Sequence, residues 1–166
     1  MDIAQTSAEM TNHCRSLLRI PLVSLLFVLV SIAHAAVGDD PPTQQHTRLA
    51  IVIGNGNYQS GRIDDLPNAA NDAGRIAESL KRLNFDVLLG TDLSAEGFNK
   101  LFRDADAKLP KASAVLIFYA GHGVQLQGQN YLLPVDTPDP ESMETITAGA
   151  IKLNDVIARL PVEEQD

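Results

Sequence analysis

The chain has 166 residues, 45% of them apolar and 20% charged, enough to bury one core and too few for two full domains. Its 13 Lys and Arg against 21 Asp and Glu leave a net charge of −8, and without a basic stripe to neutralise phosphates nucleic acid is not an expected partner. One cysteine, Cys14, forms no internal disulfide, and four scattered histidines without further thiols make no zinc cluster.

Arg15 and Arg19 precede an apolar run from Leu22 to Ile32, and Ala33-His34-Ala35 follows it. A basic lead, an apolar stretch and a small-x-small triplet are the parts of a secretory signal. The run is 11 residues long (32 − 22 + 1), and a membrane-spanning helix takes about 20. The expectation is a signal peptide over 1–35, cut after Ala35, export to the periplasm or the exterior, and no stable membrane span afterwards. Residues 36–47, polar and carrying Gly38, Pro41 and Pro42, read as a flexible leader. The domain then occupies 48–166.

Leu49-Ala50-Ile51-Val52-Ile53, ending at Gly54, is the short continuous apolar run of a strand buried on both faces. Ala69, Ala73, Ile76, Ala77, Leu80 and Leu83 recur at helical spacing, with Asp72 early and Lys81 and Arg82 late, the order that suits the helix dipole. Phe85 to Leu89, closed by Gly90, reads as a second strand. Phe98, Leu101, Phe102 and Ala105 mark a second amphipathic helix, with Ser94 as its N-cap. Ala114 to Tyr119 is a third apolar strand, Tyr131-Leu132-Leu133 a short extension, and Leu153, Val156, Ile157 and Leu160 a last short helix.

Strands alternating with helices predict an α/β fold: a mostly parallel sheet with helices on both faces. With the first strand central and the second and third on either side of it, the carboxyl ends of strands one and three flank a crevice where ligands bind. Two loops lie there, Gly54-Asn55-Gly56-Asn57-Tyr58 and Gly121-His122-Gly123. His122 suits a general acid and base, because an imidazole titrates near pH ~6.5. Its flanking glycines are expected to leave the ring uncrowded, and the Gly123 N–H, freed from a ladder, can stabilise an oxyanion. A solvated turn histidine is the competing reading. Gly54-x-Gly56 is no dinucleotide fingerprint, since the third glycine position is Gln59, and no Gly-x-Ser-x-Gly elbow occurs.

Phe118-Tyr119-Ala120-Gly121-His122-Gly123, followed by Asn130-Tyr131-Leu132-Leu133-Pro134-Val135-Asp136, resembles the bacterial caspase-like and metacaspase-like cysteine peptidases. Arg48 to Gly54 resembles their first strand, and Leu66-Pro67-Asn68-Ala69-Ala70-Asn71-Asp72-Ala73 the segment that opens their first helix. The resemblance implies a three-layer caspase-like fold and hydrolysis of peptide bonds in a protein or peptide substrate. By position it makes His122 the dyad histidine, Gly123 the oxyanion donor and Asp72 an acid that receives Arg or Lys at the cleaved position. Asp72 has a second reading, as a charge partner of its helix N-terminus. No cofactor is implied except calcium, which some metacaspases need. Asp136, Asp139 and Glu141 could offer it carboxylates, although Pro134, Pro138 and Pro140 among them favour a solvated acidic loop.

The family's nucleophilic cysteine lies about 50 residues past its histidine, and 44 residues (166 − 122) follow His122 here. The expectation is therefore a large-subunit domain, incomplete at its C-terminal end, that carries the base but not the thiol. The alternative is a catalytically inactive exported binding module. Without the next strand, Ala114 to Tyr119 is expected to be an unpaired apolar edge that recruits a strand-donating partner or aggregates.

Overall fold

The computed structural model describes residues 27–32, 47–139 and 143–161. Its central sheet has four strands: β1 (Phe27–Ile32), β2 (Thr47–Gly54), β3 (Phe85–Thr91) and β4 (Ala112–Ala120), in the spatial order β1-β4-β2-β3. β2 pairs in parallel with β3 on one side and β4 on the other, so the α/β fold and the central first strand are as expected. β3 runs two residues past Leu89, through Gly90, because its ladder with β2 continues to Gly54 opposite Thr91.

Alternation along β2 explains its unbroken apolar run. Leu49, Ile51 and Ile53 face one layer, with Val115, Ile117 and Tyr119 of β4 and with Phe98, Leu101, Phe102 and Ala105 of α2 (Ala95–Asp106). Ala50 and Val52 face the other, with Phe118 and with Ala73, Ala77 and Leu80 of α1 (Ala69–Arg82). A strand covered on both sides has no polar face to alternate. Ser94 caps α2 as read, its Oγ accepting from Gly97 N at 3.1 Å.

After β4 the chain makes a hairpin, β5 (Gly123–Leu126) and β6 (Gln129–Leu132), through Gln127 and Gly128, both at positive φ. Only its second strand is legible from apolar residues, since β5 is four residues of mixed polarity. A short helix α3 (Met143–Gly149), the strand β7 (Ile151–Lys152) on the hairpin's β6, and α4 (Leu153–Ile157) complete the described chain. Leu153, Val156 and Leu160 join the layer under α2. No helix among the described residues is long and apolar enough to cross a membrane.

One expectation is corrected. The outer edge of β4 is paired, with Phe27 opposite Tyr119 through to Ile32 opposite Ala114, antiparallel. The strand that fills it comes from the apolar run read as the core of an export signal; the rest of that signal lies outside the described residues. An uncharged segment of high β propensity satisfies the backbone groups of an uncharged edge.

Candidate active site

Three connections meet at the carboxyl end of β2, β3 and β4, and Asn55 ties them together. It is fully buried. Its backbone N–H donates to Ala120 O at the end of β4 (2.8 Å), its Oδ1 accepts from Leu93 N (2.9 Å), and its Nδ2 reaches Leu93 O and Leu133 O (3.3 and 3.2 Å). Asp92 braces the same loop from β3. It takes a left-handed φ of 48°, which Asp tolerates better than most residues, and its carboxylate accepts from Gly56 N and Asn57 N at 2.8 and 2.9 Å. Burial opposes that charge, but these amides and the Asn57 side chain outweigh it and hold the carboxyl below its ordinary pKa.

His122 sits inside this frame, 2% exposed, and so is not the uncrowded ring that its glycines suggest. The Tyr58 ring packs on it with centroids 4.7 Å apart, and the Tyr58 hydroxyl accepts the His122 backbone N–H at 2.8 Å. The Tyr119 hydroxyl donates to His122 O at 2.8 Å. Burial raises the pKa of both phenols, most strongly for Tyr119, so both keep their protons. Gly121 is what lets Tyr119 fold over this turn, because a Cβ there would lie 2.4 Å from the Tyr119 hydroxyl.

The imidazole has two unlike nitrogens. Nε2 lies 2.6 Å from Asp64 O; a carbonyl only accepts, so Nε2 carries the proton and Nδ1 the lone pair. Nδ1 is buried and has no hydrogen-bond partner among the described residues. Burial pushes the imidazole pKa below its usual value, against the Asp64 carbonyl and the charges of Asp64 and Asp65, which pull it up. The ring is therefore a neutral base at pH 7, with its basic nitrogen unspent.

Gly123 begins β5 opposite Leu132. Leu133 N donates to His122 O at 2.9 Å, which makes His122 and Leu133 the hydrogen-bonded pair and Gly123 and Leu132 the next, non-bonded one. By that alternation the Gly123 N–H points away from β6. Asp72 is exposed on the first turn of α1, at the same end of the sheet. The charges that chiefly pull on the imidazole are those of Asp64 and Asp65.

Asp136 accepts from Ala95 N at the start of α2 (2.8 Å) and Asp139 from the Ser60 hydroxyl. Among the described residues no three His, Cys, Asp or Glu side chains gather as metal ligands. Glu141 lies outside them.

Tyr58, Tyr119, Asn55, Asp64 and Asp92 escape a search for reactive side chains, since only their glycine-rich context marks them. The loop Gly54 to Tyr58 is nevertheless conspicuous, and its first side chain, Asn55, is the hub. Gly54 is needed there, because a Cβ would lie 2.4 Å from Ala69 O where α1 closes on β2.

Comparison with known proteins agrees with this architecture. The family model described as "Caspase domain" matches residues 47–161. Mucosa-associated lymphoid tissue lymphoma translocation protein 1 of Homo sapiens is 30% identical over 97 residues, 58% of this chain and 12% of that protein. Its homolog in Mus musculus is 29% identical over 97 residues, covering 58% of this chain and 11% of that protein. The chain thus spans about an eighth of the length of these relatives. With the caspase model covering more than half of its length, the chain belongs to the caspase-domain family of peptidases.

Proposed function

We propose that this domain is the base-bearing part of a caspase-like cysteine endopeptidase. His122 Nδ1 takes the proton of a cysteine thiol, the thiolate attacks the scissile carbonyl, and the imidazolium returns the proton to the leaving amine. One observation carries the reading: a single imidazole whose Nε2 is committed to the Asp64 carbonyl while its Nδ1 is buried, basic and unpartnered. A buried acceptor left open costs stability, so it asks for a functional reason.

The Gly123 N–H, turned out of the hairpin ladder, donates to the oxyanion of the tetrahedral intermediate. Asp72 receives the Arg or Lys side chain of a protein or peptide substrate as an ion pair. The chemistry needs no cofactor. Residues 1–35 direct export and are removed after Ala35, and the leader that follows them ends where β2 begins at Thr47. Cys14, the sequence's one cysteine, lies in that removed part and outside the described residues, so the thiol comes from elsewhere in the whole gene product or from a partner.

The test is hydrolysis of peptides with Arg or Lys at the cleaved position by the whole gene product. His122→Ala lowers kcat/KM by about 10²–10⁴-fold, and Asp72→Asn raises KM for Arg and Lys peptides with a smaller effect on kcat. Full activity of the His122 variant overturns the mechanism. Peptide binding without hydrolysis in the unmodified protein points instead to an exported binding module.

A further inference from the structure

The carbonyl that holds the His122 ring lies in a stretch with no repeating structure to place it. Asn55 to Leu66 belong to no helix and no strand, yet Asp64 O sits 2.6 Å from Nε2. Asn55 pins the first residue of this stretch, and Gln59 N, donating to Val135 O at 2.8 Å, pins its middle. Between those anchors the Asp92 carboxylate accepts the backbone N–H groups of residues 56 and 57.

Asp92 reaches them from the far side of the sheet. It follows β3, and β2 separates β3 from β4, the strand that leads into His122. Its own N–H donates to Gly54 O at 2.9 Å. Oδ1 then takes both backbone donors and Oδ2 the Asn57 side-chain amide. Two bonds carry this hold onward. Gly56 O accepts from Leu66 N at 2.9 Å, and Tyr58 N donates to the Asp65 carboxylate at 2.9 Å, so both join the loop to residues beside Asp64. Gly56 permits the closeness, since a Cβ there would lie 2.4 Å from Leu66 O. The next residue but one, Tyr58, packs its ring on the imidazole and accepts the His122 N–H.

We propose that Asp92 is a positioning residue for the histidine base: it fixes Gly56 to Tyr58, and through them the Asp64 carbonyl that holds the ring with Nδ1 free. This role rests on the reading of His122 as the base, and it acts through the loop rather than on the ring. A carboxylate suits it better than an amide, because all three groups that it meets are donors and an ionised carboxyl only accepts. Hydrogen bonds to an ionised acceptor are also roughly twice as strong as those between neutral groups.

The experiment follows the His122 Nε2 proton by NMR in the full chain, assigned by its loss in His122→Gln. Buried and bonded to a carbonyl, this proton exchanges slowly with water. Asp92→Gly removes the carboxylate and leaves a residue at ease with the positive φ of this position. It speeds exchange of the Nε2 proton by about ten- to a hundredfold, the change expected when charge-assisted hydrogen bonds are lost. Asp92→Asn acts in the same direction and more weakly. Asp86→Asn, which discharges the partner of Lys108 on the same strand, leaves the proton as it is. In the whole gene product acting on Arg and Lys peptides, Asp92→Gly lowers kcat by roughly tenfold or more with KM nearly unchanged.

Faster exchange at the Gly56 and Asn57 amides with the Nε2 proton unmoved overturns the proposal, because the carboxylate then serves the loop alone. A raised KM with kcat intact overturns it too. If Asp92→Gly does not fold, Asp92→Asn decides: faster Nε2 exchange supports the proposal, and exchange as in wild type overturns it. Should the unmodified protein hydrolyse no peptide, the peptidase reading fails, while the exchange measurement still decides whether Asp92 holds the ring.

Discussion

The layers above and below the central sheet are held by contact, whereas the loops at its carboxyl end are held by direction. Leu49, Ile51, Phe98 and Ala73 need neighbours of the right volume. Asn55, Asp92, Tyr58 and Tyr119 need particular partners at particular angles. Apolar packing tolerates exchange of one side chain for another of similar size. A buried polar network does not, because each broken bond strands its partner in a place where water cannot replace it. The domain therefore keeps its tolerant parts in the layers and its exacting parts around His122, and the two should fail differently.

The largest effect belongs to the layers. Leu49 is fully buried near the amino end of β2, and Leu49→Ala costs about 3–4 kcal/mol in urea unfolding. The His122 imidazole resonances stay where they were, since the damage lies at the far end of the strand. Asn55→Ala costs nearly as much, about 3 kcal/mol, by leaving the Leu93 N–H without an acceptor and two carbonyls short of a donor. Here the His122 resonances move. If Asn55→Ala leaves them unshifted, the division between packed layers and a directed frame fails.

That division also marks what the sequence makes legible. Period-two and continuous apolar runs give β2, β4 and most of β3, and helical spacing gives α1 and α2, because burial against a layer is a repeated demand that leaves a repeated pattern. β5, α3 and β7 carry four, seven and two residues, too few for any period to show. In the site, the glycines and His122 stand out by residue type. The Asp64 carbonyl cannot, because a backbone oxygen has no identity in sequence, and it is this group that fixes the tautomer. Burial of the ring by Tyr58, 64 residues away along the chain, is likewise a product of the fold. Pairing of the β4 edge was hidden by a different cause: the segment Leu22 to Ile32 fits two roles equally well, the apolar core of an export signal and an edge strand, and composition does not choose between them.

Gly121→Ala sharpens the comparison at intermediate size. Its Cβ meets the Tyr119 hydroxyl, so the ring must move and give up its bond to His122 O, for about 2 kcal/mol of stability. Tyr58→Phe is milder in volume but strands the buried His122 N–H, at about 1–2 kcal/mol. Amide exchange at His122 reports it: exchange in Tyr58→Phe becomes faster than in wild type, relative to amides of β2. Equal protection would mean that the phenol packs on the turn without holding it.

The smallest effect is the one that reads the base itself. Burial leaves the folded imidazole of His122 with a pKa below that of the unfolded chain, even with the Asp64 carbonyl and the Asp64 and Asp65 charges pulling it upward. The unfolded imidazole, near 6.5, then binds a proton that the folded one refuses. Stability from this group is therefore complete above pH ~6.5 and is lost as pH falls from there through the folded pKa. Other titrating groups add their own slopes, so the measurement is a difference: unfolding free energy of wild type minus that of His122→Gln, from pH 8 to pH 5. The difference should be level at the alkaline end and should turn against the wild type below pH ~6.5. A difference that instead favours the wild type on acidification would mean that the Asp64 and Asp65 charges outweigh burial and raise the folded pKa above the unfolded one. Burial would then not be what keeps Nδ1 free to accept a proton from a thiol.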